Sequence, residues 1–158
     1  MSLSLELMGS GALEKRKTAQ ELLKCNDRTA EYGLVLSPEQ AAALAEYRGE
    51  ALRSSGRLEL SGSVLSKLIL AFRDSPYLTP REYPQQLSEL LDIFYFYKNE
   101  TLDELSDDEL LEYLKKSFDG ACQGSFELLS GRALEDLLDS LDGNCTIGEE
   151  MGEENDEY

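Results

Sequence analysis

The sequence predicts an all-α protein: a single irregular bundle of about six helices followed by a disordered acidic C-terminal tail. Two observations carry that prediction. Capping signals recur ahead of apolar runs, as in Ser37-Pro38-Glu39-Gln40 and Ser106-Asp107-Asp108-Glu109. Such boxes satisfy backbone N–H groups that a helix start leaves without partners. Between those starts the large apolar residues fall three and four apart, which places them on one helix face.

In chain order, residues 1–12 are expected to form a flexible N-terminus and 13–142 the helical domain. The first helix, about 13–24, has a thin apolar face. Residues 33–36 and 57–60 are candidate short strands, although a lone pair of that length is marginal without packing support. Ser37 opens a helix with Pro38 at its first position, and Gly56 supplies its stop. Leu65, Leu68, Ile69 and Phe72 mark a short helix over 64–73, ended by Asp74-Ser75-Pro76. Thr79-Pro80-Arg81-Glu82 repeats the capping device and predicts a helix from Pro80 to about Lys98. Its last two turns are apolar nearly all round, so the core is expected there. Leu110, Leu111, Leu114 and Phe118 mark the next helix, ending near Asp119-Gly120, and Leu134, Leu137, Leu138 and Leu141 a last one over 133–141. In 143–158 the carboxylates Glu149, Glu150, Glu153, Glu154, Asp156 and Glu157 repel one another. Burial cannot repay the ordering entropy of such a stretch, so it is expected to be disordered.

The charge is unevenly spread. Residues 1–83 carry 11 basic and 11 acidic side chains, whereas 84–158 carry 4 and 21, the whole of the formal net charge of −17. Asymmetry of this kind points to an interaction surface or a solvating tail. No apolar run approaches the roughly 20 residues that span a bilayer. The first residues lack the pattern of a signal peptide, so a cytoplasmic location is expected. Cys25, Cys122 and Cys145 are widely spaced and read as reduced structural thiols. The chain has no histidine, which removes the commonest general base and transition-metal ligand and any Ser-His-Asp or Cys-His triad of its own.

Several motifs invite chemistry that their context does not support. Gly120-Ala121-Cys122-Gln123-Gly124 has the spacing of a nucleophile elbow, but it follows a predicted helix and nothing can activate the thiol. A calcium loop beginning at Asp119 would place Ala121, Gln123 and Ser130 where carboxylates are needed. Asp107, Asp108 and Glu109 occupy a first helical turn, where the backbone dipole favours them without a metal. Lys15-Arg16-Lys17 is a short basic run on a chain whose net charge opposes nucleic acid. No catalytic residue, cofactor or metal is therefore assigned. The densest aromatic cluster is Phe94-Tyr95-Phe96-Tyr97, with Tyr77 and Tyr83 upstream. Core packing is its first explanation, and Tyr77, Tyr83, Phe94, Tyr95 and Tyr97 are the candidate lining of a ligand pocket or partner groove.

The runs Lys67-Leu68-Ile69, Asp74-Ser75-Pro76-Tyr77-Leu78, Tyr95-Phe96-Tyr97-Lys98-Asn99-Glu100 and Leu105-Ser106-Asp107-Asp108-Glu109-Leu110 carry a likeness. Over about residues 22–141 the chain resembles a family of small, uncharacterised proteins of Gram-positive bacteria, a domain of unknown function. The resemblance implies one bacterial intracellular domain and brings no activity or catalytic residues. The function expected is a non-catalytic helical interaction module, an adaptor or regulatory partner. Its acidic half would steer a basic partner protein, with no membrane and no direct nucleic-acid contact, and it allows a homo-oligomer. Two alternatives stay open: an acidic mimic that blocks a nucleic-acid-binding protein, and a small-ligand binder or histidine-free enzyme built on the tyrosine-rich helix.

Overall fold

The computed structural model describes residues 2–59 and 64–145, with side chains over 13–59 and 64–142. Seven α-helices are present among the described residues: α1 (Ser2–Thr29), α2 (Pro38–Ser55), α3 (Val64–Phe72), α4 (Tyr83–Glu100), α5 (Asp107–Asp119), α6 (Phe126–Ser130) and α7 (Arg132–Cys145). Six of them match the helices expected from the sequence. The extra one, α6, is a single short turn with Ser125 as its N-cap.

Both serine capping boxes form. Ser37 Oγ accepts from Gln40 N–H and Gln40 Oε1 from Ser37 N–H, at 3.1 and 2.9 Å. Ser106 and Glu109 repeat that exchange at the same two distances. The Thr79 box behaves differently. Thr79 Oγ1 lies 3.4 Å from Glu82 N, and residues 80–82 form a turn before α4 begins at Tyr83. Pro84 explains the correction. A helix begun at Pro80 would need an N–H from residue 84 for the Pro80 carbonyl, and proline has none. Starting at Tyr83 instead puts Pro84 within the first turn, where no N–H is required.

The candidate strand at 33–36 is absent, and the reason is local. After the turn Ala30–Tyr32, Gly33 takes the left-handed conformation (φ 78°) and the chain runs extended into α2. Its polar groups are met by α1: Thr29 Oγ1 donates to Leu34 O at 2.5 Å, while Asn26 accepts from Leu36 N and donates to Leu36 O, both at 2.9 Å. A side-chain amide replaces the neighbouring strand. Residues 57–59 also form no strand, and residue 60 lies outside the described residues. Two boundaries differ as well. Helix α1 takes in residues 2–12, expected as a flexible terminus, and α7 reaches Cys145. The rest of the expected tail, 146–158, lies outside the described residues.

Helix α4 is the centre of the bundle, as its all-round apolar character predicts. It packs on α2, α3, α5 and α6, while α1 covers α2 and α3. Leu87, Leu90, Leu91, Phe94 and Tyr97 are buried along it. Phe118 joins the other end of the core, in edge contact with Phe72 and stacked on Phe126 at centroid distances of 5.7 and 5.3 Å. One residue of the apolar turn escapes: Phe96 is 45% exposed.

Candidate functional site

The expected groove residues separate on folding. Tyr83, Phe94 and Tyr97 are buried in the core. The Tyr97 hydroxyl donates to Leu129 O at 2.6 Å, which ties α4 to α6. Tyr77 is partly buried with its ring edge-on to Phe118, at 6.0 Å. Of the five, Tyr95 alone lines the cleft described next.

Helices α2 and α4 enclose a cleft of about 340 Å³, lined by Tyr47, Glu50 and Ser54 of α2 and by Asp92, Tyr95, Phe96 and Asn99 of α4. Small residues make room for it: Ala51, Ser54 and Ser55 occupy the α2 side where larger side chains would fill the space. Phe96 lies one helical turn beyond Asp92, so ring and carboxylate share a face of α4. Tyr47 reaches across from α2 and donates its hydroxyl to Asp92 Oδ2. That bond, with burial and the charges of Asp92, Glu50 and Glu89, raises the Tyr47 pKa to about 12. Among the described residues Glu50 and Asp92 make no ion pair. The cleft therefore combines aromatic surface with two carboxylates that pair with no cation among the described residues.

One end of the cleft is fixed by a polar junction. Asn99 Nδ2 donates to Ser55 O at 3.2 Å, Arg57 Nη1 donates to Asn99 Oδ1 at 2.5 Å, and Arg57 pairs with Asp103. The ion pair holds Asp103 below the usual carboxylate range, chiefly through the Arg57 hydrogen bond. Beside it the backbone turns sharply, with Leu102 and Asp103 both left-handed at φ 55° and 60°. Leu102 is 79% exposed and Leu58, next to Arg57, is 86% exposed. A bulky side chain is strained at positive φ, and here it stands in water beside the cleft.

A second network secures the cleft wall from behind. Arg48 donates from Nε and Nη2 to Glu59 Oε1 at 2.9 and 2.7 Å, and Tyr95 donates to Glu59 Oε2 at 2.6 Å. Arg48 and the Glu59 carboxylate are largely buried. Burial, then the bond to Glu59, drives the Tyr95 pKa upward, so Tyr95 stays a neutral donor. The chain after α2 is thereby pinned across α2 and α4.

Other features carry less. The turn 120–124 follows α5 and buries Cys122, whose thiol is pushed up by desolvation, as is Cys25. Cys25 and Cys122 are free thiols. No group of three or more Cys, Asp or Glu among the described residues is placed to hold a metal. Asp107 instead pairs with Lys98 at 2.8 Å and Asp108 with Lys67 at 3.3 Å. No described helix is long and apolar enough to cross a membrane. Tyr47, Asp92, Asn99, Leu58 and Leu102 were not among the candidate groove residues that the sequence offered. Leu102 had no sequence signal, because its exposure follows from a left-handed turn that no glycine or asparagine announces.

Comparison with known families matches residues 21–145 to the Family of unknown function (DUF6323). The chain belongs to this family. The matched span begins inside α1, ends with α7 and contains the whole α2–α4 cleft, so the cleft is part of the family domain. No curated protein and no solved structure matches the chain.

Proposed function

We propose that this family domain is a non-catalytic protein-interaction module of the bacterial cytosol, an adaptor or regulatory partner, that docks a basic segment of another protein in the α2–α4 cleft. One observation supports this reading above the rest: exposed Phe96 lies one turn from Asp92 in a cleft where Asp92 and Glu50 make no ion pair among the described residues. Phe96 supplies apolar area, and Asp92 and Glu50 supply charge complementary to a basic partner. Exposed Leu58 and Leu102 adjoin, in sequence, Arg57 and Asp103, the ion pair bonded to Asn99 at one end of the cleft. Docking is favoured over small-ligand binding because Tyr83, Phe94 and Tyr97 are committed to the interior.

A photo-crosslinking residue placed at Phe96, compared with one at Leu128, tests the proposal. Both positions are 45% exposed, and only Phe96 lines the cleft. The expected result is a specific, salt-sensitive adduct from position 96 and none from position 128. Equal labelling from the two positions, or none from position 96 in native lysate, contradicts it.

A further inference from the structure

Building on the docking reading, we infer that the partner residue seated in the cleft is an arginine, its guanidinium stacked on the Phe96 ring and paired with Asp92. Asp92 uses Oδ2 to accept from Tyr47, and Oδ1 has no hydrogen-bond partner among the described residues. That oxygen and the Phe96 ring are one helical turn apart, about 5–6 Å between their Cβ atoms. A guanidinium lying on the ring spans such a gap with its edge N–H groups. Glu50, on the α2 wall, offers a second carboxylate to the same cation.

Arginine fits this pairing better than lysine. Its planar, weakly hydrated cation can stack on an aromatic face and hydrogen-bond a carboxylate at the same time. An ammonium is a compact, strongly hydrated charge that gains less from the ring. The Ser54 hydroxyl, which also lines the cleft, can accept from an outward N–H group. The chain solves the same problem internally: Arg48 is held by Glu59, which also accepts from Tyr95.

The test uses three blocked alanine-based helical peptides carrying arginine, lysine or neutral citrulline at positions one turn apart. Binding is followed through the backbone amide signals of the full chain. The arginine peptide should shift amides of 47–55 and 92–99. It should bind about fivefold more tightly than the lysine peptide, which corresponds to a cation–π difference near 1 kcal/mol. The citrulline peptide should leave those amides unmoved. Phe96→Leu should remove the preference for arginine over lysine, and Asp92→Asn should weaken both. Both residues are exposed, so the fold is expected to survive either change. Citrulline binding as well as arginine, or lysine binding better, overturns the arginine assignment and leaves docking intact. Failure of all three peptides to shift the cleft overturns both, as do shifts spread over α5 and α7 instead.

Discussion

Gly124 lies in a left-handed conformation (φ 80°), and a Cβ there would come within 2.6 Å of the Tyr77 ring. Gly124→Ala therefore combines backbone strain with overpacking, and a loss of about 3 kcal/mol in denaturant-unfolding stability is expected. The tyrosines give a second outcome at this scale. Burial raises the pKa of Tyr83 to about 12 and pushes Tyr97 and Tyr113 up, while Tyr95 is raised by burial and by Glu59. A group that holds its proton more tightly when folded contributes stability that is fully present below the unfolded pKa of about 10 and lost as pH rises through the folded value. Tyrosinate absorbance should therefore rise cooperatively with loss of helical circular dichroism between about pH 10 and 12. Independent ionisation of every tyrosine with the helices intact would contradict the packing. Burial of Phe94 and Tyr97 was legible from helical spacing. The split among neighbours was not, because Tyr95 and Phe96 differ only in which side of α4 meets α2.

At the scale of the element, the two serine boxes were readable because the motif carries its own hydrogen-bonding partners within four residues. Ser37→Ala and Ser106→Ala should each cost about 1 kcal/mol in thermal or denaturant unfolding. Thr79→Ala should cost far less, since the 3.4 Å contact of Thr79 closes only a turn ahead of α4. Equal losses at all three positions would mean that α4 does start at Pro80. The Thr79 motif misled because Pro84, four residues on, vetoes the earlier start. The segment 33–36 misled for a tertiary reason: Asn26, a full helix-end away in sequence, supplies the bonds that a strand partner would have given. Helix α6 was missed because one turn shows no periodicity, although Ser125 before it and Gly131 after it punctuate the segment.

For the whole molecule, the acidity of the second half was plain from composition, yet composition could not say which carboxylates lack cations. Folding decides that: Asp103 and Asp107 meet Lys98, Asp119 meets Lys115, and Asp92 meets only Tyr47 among the described residues. The docking surface is thus a property of the α2–α4 packing, which brings together residues such as Tyr47 and Asp92, 45 apart in the chain. It also carries a cost in stability at Leu102. Leu102→Asn, which tolerates positive φ, should raise stability by about 1 kcal/mol while weakening partner capture. A stabilised variant with undiminished capture would remove Leu102 from the surface. Docking of a basic segment in the α2–α4 cleft is decided by the affinity of the partner crosslinked at Phe96 for the Asp92→Asn/Phe96→Ser double variant, measured beside the unaltered chain across a salt series. A loss of at least about a hundredfold is expected, with the salt dependence flattened, because an aromatic anchor and its paired charge go together. Unchanged affinity, or a salt dependence as steep as before, would contradict it.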